Sequence, residues 1–154
     1  MLNPPQAATV PAWHLFFPLA ALHGALLVPL SLLSLYHPAG VALLASPAAH
    51  GRELLFGFAL AVIAGYLLGP LTRRWLWLLG GLWLAARLGG LLWPVALPVI
   101  LADGAFVLLL GWRLVPRFIA AKRWRNRVLS PLLGLLCLLA LVTLVWRYLG
   151  RMPT

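Results

Sequence analysis

The feature that most constrains this chain is a succession of apolar runs, each about 20 residues long, separated by short segments that hold nearly all the charge. The runs extend over residues 13–36, 52–68, 75–93, 95–112 and 129–149. A bilayer core about 30 Å thick needs about 20 helical residues to cross it, and in lipid only a helix satisfies its own backbone without water. The whole chain is 64% hydrophobic and 9% charged, with a mean hydropathy of +1.01. A soluble domain carries about 45–50% apolar and about 25% charged residues. The expectation is an all-α integral membrane protein of about five transmembrane helices in one domain, residues 1–154. That leaves no room for a large soluble domain and argues against a self-contained enzyme.

The breaks between runs carry their own signals. Ser46-Pro47 reads as an N-cap followed by proline at the first helical position. Gly69-Pro70 is a helix stop, and a turn near Trp93-Pro94 makes the third and fourth helices an antiparallel hairpin. Pro18 and Pro29 each remove a backbone donor from the first helix. Ser31 and Ser34 offer partial repair; without it the proline kinks leave a four-span arrangement. Cys137 is the sole cysteine, inside an apolar run, so no disulfide framework is implied. The first ten residues hold no Lys or Arg, so the expectation is a retained first helix rather than a cleaved signal peptide.

The net charge of +10 comes from twelve basic residues against two acids, Glu53 and Asp103. The bases sit between apolar runs, which is how orientation is fixed in a bilayer and is no sign of nucleic-acid binding. With alternating spans, Arg73, Arg74, Arg113, Arg117, Lys122, Arg123, Arg125 and Arg127 fall on the N-terminal side. Arg52, Arg147 and Arg151 fall on the other, and Arg87 lies within a span. The excess places the N-terminus in the cytoplasm and the C-terminus outside, in a prokaryotic inner membrane. Arg117, Lys122, Arg123, Arg125 and Arg127, with Phe118 and Trp124 among them, read as a contact with anionic lipid or an acidic partner. Gly57, Ala61, Gly65 and Gly69 recur every four residues and read as a helix-packing stripe, echoed by Gly81, Ala85 and Gly89.

Few residues could carry chemistry. Arg87 and Asp103 fall at similar depth on the two arms of the hairpin, roughly 9–12 Å from its turn. An unpaired charge there costs at least about 2.5–3.5 kcal/mol on the insertion scale. An ion pair holding the hairpin is the simplest reading; a proton relay or a contact with a cofactor or partner subunit are the functional ones. Glu53 reads as a first-turn carboxylate favoured by the helix dipole. With His37 and His50 it forms a loose set of candidate metal ligands, set against plain interface histidines. His14 and His23 are nine residues apart and point to nearly opposite helix faces, so they cannot share a metal. His23 within a span is a candidate ligand of haem or metal, or the donor of one hydrogen bond to a neighbouring helix. No phosphate loop, nucleophile–base pair or paired-carboxylate site is present in the sequence.

The stretch His50-Gly51-Arg52-Glu53-Leu54-Leu55-Phe56-Gly57, continued through Phe58 to Leu68, resembles the NnrS family, whose members carry a W-H-x-H-E-M-L-F-G motif ahead of a glycine-containing helix. Residues 16–22, Phe-Phe-Pro-Leu-Ala-Ala-Leu, are similar to the family's first helix. Arg87, Asp103 and Arg125-Asn126-Arg127 fall where members tend to have similar residues. The resemblance spans nearly all of this chain and about the first half of a typical member. It implies a role in denitrification or nitric-oxide stress, in a family described as containing haem and copper. His50 and Glu53 match the motif, whereas Arg52 stands at its second histidine and Trp146-Arg147 where a later family histidine is expected. Arginine has no lone pair to give a metal. The expected function is therefore a non-catalytic accessory subunit of a respiratory complex, a nitric oxide reductase above all, with no cofactor of its own. A stand-alone protein binding haem or copper through His23, His37 or His50 is the alternative.

Overall fold

A computed structural model of the chain describes residues 8–37, 44, 46–93, 96–120, 122 and 124–150, with the side chains of Arg125, Asn126, Leu129 and Arg147 left out of that description. Arg123, Arg151 and the Pro94-Val95 step of the expected turn lie outside the described residues. Helix α1 runs Trp13–Tyr36, with Pro18 and Pro29 both inside it. At 1.5 Å per residue its 24 residues reach about 36 Å, enough to cross the hydrocarbon core. The prolines therefore do not split the first span. Ser31 Oγ donates to the Val28 carbonyl and Ser34 Oγ to the Leu30 carbonyl, both at 2.7 Å. These bonds go to other carbonyls than that of Ala25, the one Pro29 leaves without its usual donor, so they do not make the anticipated repair.

Helix α2 covers Pro47–Leu67. It starts five residues earlier than the apolar run alone suggests, because Ser46 Oγ accepts from the Ala49 N–H at 3.1 Å and Pro47 fits the first turn. Its central stretch, Glu53–Ala59, is wound as a π-helix. Gly69 then takes a left-handed conformation, φ +67°, that ends the helix. A two-stranded ribbon follows, in which β1 (Thr9–Pro11) pairs antiparallel with β2 (Pro70–Thr72). With the Ala12 N–H on the Gly69 carbonyl (3.0 Å), it ties the start of α1 to the α2–α3 turn.

Helices α3 (Arg73–Leu92) and α4 (Leu97–Ile119) form the expected hairpin, α4 running a further two turns past Trp112. A short α5 (Trp124–Arg127) leads into α6 (Leu129–Leu149). Four helices, α1 to α4, are long and apolar enough to cross a membrane. The 21 residues of α6 reach about 31 Å and carry a shorter apolar stretch, Ser130–Trp146. Helix α4 packs between α3 and α6, while α1 lies along α2. Phe16, Leu60, Leu79, Phe106, Leu110 and Leu114 fill the centre, and the rings of Phe16 and Phe106 meet at 6.1 Å. Large apolar side chains such as Leu22, Trp77, Leu101 and Leu135 face outward, the surface a multi-pass membrane protein offers to lipid.

The small-residue stripe on α2 is real at three of its four positions. A Cβ on Gly65 would lie 2.6 Å from Phe17 Cδ1, and one on Gly57 only 2.1 Å from His23 Nε2; Ala61 between them is fully buried. Gly69 is not part of it, since it has already left the helix. On α3 the close approaches are at Gly80, to Leu15, and Gly89, to Val99; a Cβ on Gly81 would meet nothing within 4 Å. Of the stripe expected there, Gly89 makes its close approach, whereas Gly81 and Ala85 are exposed and their neighbours Gly80 and Ala86 are buried instead.

Candidate functional site

The hairpin brings Arg87 and Asp103 together as their depths imply: Arg87 Nη2 donates to Asp103 Oδ1, and both residues are 5% exposed. The pair is not isolated. Arg87 Nη1 also reaches Glu53 Oε2 at 3.4 Å, and Arg52 donates to Glu53 Oε1 through Nε and Nη2, both at 3.1 Å. Two carboxylates are thus set against two guanidinium groups, a neutral cluster among α2, α3 and α4 in which Arg52 alone is partly exposed. Burial of any one of these charges alone would be costly; together they are paired, with Arg87 Nε left buried and without a hydrogen-bond partner among the described residues.

Glu53 is the hub, which corrects its reading as a first-turn carboxylate at the outer surface. Because α2 begins at Pro47, Glu53 lies in its second turn and is only 6% exposed. The two signals that fix this, the Ser46-Pro47 start and the need of every intramembrane charge for a partner, were both legible beforehand. His23 joins from α1. Its Nε2 lies 3.2 Å from the Glu53 backbone oxygen and 3.4 Å from Glu53 Oε2. A carbonyl only accepts, so Nε2 carries the hydrogen and is no lone-pair donor. Trp83 Nε1 donates to the Gly57 carbonyl at 3.1 Å, and its ring stands edge-on to His23 with centroids 5.3 Å apart. Carbonyls of the π-helical stretch thus take side-chain donors from α1 and α3, and π-helical insertions are frequent at functional sites. Trp83 and Gly57 gave no chemical signal in the sequence.

The other candidate ligands are placed differently. Ser31 Oγ has one hydrogen, directed to Val28; the 2.6 Å contact with His50 Nδ1 therefore has Nδ1–H as donor, leaving only Nε2 of His50 with a lone pair. His37 caps the exposed C-terminal end of α1, and His14 is exposed on the face opposite His23. Among the described residues no group of three or more His, Cys, Asp or Glu side chains could hold a metal ion. The position of the motif's second histidine holds Arg52, whose guanidinium is engaged by Glu53. The residues present do not fit a copper site built on this motif.

Two cavities flank the cluster. One, about 240 Å³ between α1 and α3, is walled by Leu19, Leu26, Leu91 and Trp83 together with His23 and Arg87. The other, about 390 Å³, lies between the start of α2 and the end of α6, beside Ser46, Arg52, Thr143 and Trp146. At the opposite end of the bundle, Arg117 Nη1 donates to the Leu68 carbonyl at 2.8 Å, and Arg113 stacks on Trp75. Arg117 therefore has a structural task besides any contact outside the chain. Lys122 and Arg127 are exposed.

Residues 11–153 match the family model described as NnrS protein. The chain belongs to the NnrS family. No curated protein and no solved structure matches it. Within this NnrS protein the family-like stretch around His50 and Glu53 forms α2, and Glu53 links it to Arg87 and Asp103 on the hairpin.

Proposed function

We propose that this NnrS-family chain serves the nitric-oxide response as a non-catalytic accessory subunit. Its partner would be a larger respiratory complex of a prokaryotic inner membrane, a denitrifying nitric oxide reductase foremost. One observation carries the reading: the intramembrane carboxylates are engaged with guanidinium groups of the same chain, in an arrangement that braces α2 against the α3–α4 hairpin and does not converge on a reactant. A subunit with this build stabilises or helps assemble the component that carries the redox chemistry, and needs no cofactor of its own. The test is native mass spectrometry of the tagged chain, extracted from its own membranes in mild detergent. The expected result is a stoichiometric assembly with haem-bearing subunits, this chain itself carrying no added mass. The chain alone, or as a homo-oligomer, refutes the subunit reading.

A second reading is favoured by the cavity that His23 borders beside Arg87 and Trp83. In that reading the protein acts alone and binds haem or copper through its histidines. A haem or copper mass on the isolated chain, lost in His23→Ala, supports it.

A further inference from the structure

The chain has two acidic side chains, and both are engaged in the cluster beside Arg52 and Arg87. At the other end of the bundle Arg73, Arg74, Arg113 and Arg117 gather with no carboxylate near them, and none of the four makes an ion pair among the described residues. Their proximity is fixed by contacts: the Arg113 guanidinium carbon lies 4.2 Å over the Trp75 ring, and Arg117 reaches Leu68, just before the turn into α3. Arg113 Nε is buried and has no hydrogen-bond partner among the described residues. Arg73 and Arg74 are exposed at the first two positions of α3, whose N-cap Thr72 makes no side-chain hydrogen bond. Cations at a helix N-terminus oppose the macrodipole, so Arg73 and Arg74 call for an anion from outside the chain.

The surroundings indicate which anion. Trp75 and Trp112 lie 6.3 Å apart, and Trp112 and Trp77 are each 65% exposed. Tryptophans of this kind occupy the headgroup level of a bilayer, and Arg113 lies about 9 Å inside the end of α4, six residues before Ile119. An acidic protein docking from water would meet the outermost bases, Arg117 and Lys122. At the headgroup level that such tryptophans mark, a lipid phosphate would meet Arg113 as well as Arg73 and Arg74. We propose that the start of α3 and the last turns of α4 form a binding site for the phosphodiester headgroup of an anionic phospholipid. Arg73, Arg74 and Arg113 hold the phosphate, while Trp75 and Trp112 lie against the glycerol region. The site is independent of the nitric-oxide reading.

The experiment uses the full chain in nanodiscs of phosphatidylcholine, with or without a minority of phosphatidylglycerol. Lipid retained on release is counted by native mass spectrometry. The expected result is phosphatidylglycerol retained in preference to phosphatidylcholine, and at least about tenfold less of it on Arg74→Gln/Arg113→Gln, in line with the loss of two charge-assisted contacts. Lys122→Gln/Arg127→Gln removes the same charge from the same end and should keep the lipid. Arg73→Gln/Arg74→Gln, at two exposed positions, gives the same loss without touching the Trp75 stack. Equal retention of both lipids by the wild type overturns the proposal. Equal loss in all double variants also does so, since it means a diffuse field rather than a site. Displacement of the lipid by millimolar inorganic phosphate, or recovery of an acidic protein instead of lipid from native membranes, overturns it as well.

Discussion

Arg87→Met removes a guanidinium that touches both buried carboxylates, Glu53 at 3.4 Å and Asp103 on the hairpin's other arm. Breaking a buried pair from one side costs about 3–5 kcal/mol, because a charge is left without compensation. Here Glu53 retains Arg52 through two 3.1 Å contacts, so its share of the loss is partial. Adding Asp103→Leu to Arg87→Met removes the carboxylate that has lost its Arg87 contact. The neutral double variant should therefore be more stable than Arg87→Met by about 2 kcal/mol, within the range of coupling energies between contacting residues. The charge swap Arg87→Asp/Asp103→Arg separates two pictures. A simple pair predicts recovery of wild-type stability. The cluster predicts failure, because the new carboxylate at position 87 faces Glu53. The assay is reversible unfolding in mixed detergent micelles, with free energies from the denaturant midpoints and slopes. A swap as stable as wild type would refute Glu53 as hub of the site, and a neutral double variant no better than Arg87→Met would refute the coupling of Arg87 to Asp103.

Other outcomes follow from single contacts. Gly57→Ala drives a methyl into His23 Nε2, from which it would be 2.1 Å, and should cost about 1–3 kcal/mol by overpacking. Gly81→Ala, with nothing within 4 Å, should gain up to about 1 kcal/mol from helix propensity in the same unfolding assay. Trp83→Phe removes the donor to the Gly57 carbonyl and should lower stability by about 1 kcal/mol, with a changed tryptophan emission to confirm the site. Lys122→Cys in a Cys137→Ser background should resist an impermeant maleimide added to intact cells and react once they are opened; labelling from outside would reverse the orientation drawn from the basic residues.

The sequence by itself determined the membrane class and most of the helix limits. The runs at Trp13–Tyr36 and Leu129–Leu149 are helices with those same ends, because a change from apolar to polar composition is a local property that lipid reads directly. The Arg87–Asp103 pair was legible for the same reason: two charges at equal depth on one hairpin have few other ways to be neutralised. What the tertiary structure decided is the role of everything that approaches from another element. Glu53 was read on its own helix as a dipole partner, yet Arg87 and His23 reach it from residues 34 and 30 positions away. Gly57 was read as one step in a packing stripe, yet its missing side chain is the space in which His23 sits. The π-helical winding that presents these carbonyls has no compositional mark at all. Periodicity and hydropathy report which face of a helix is apolar; which partner occupies a given point on that face depends on crossing geometry, and that is set only when the helices pack.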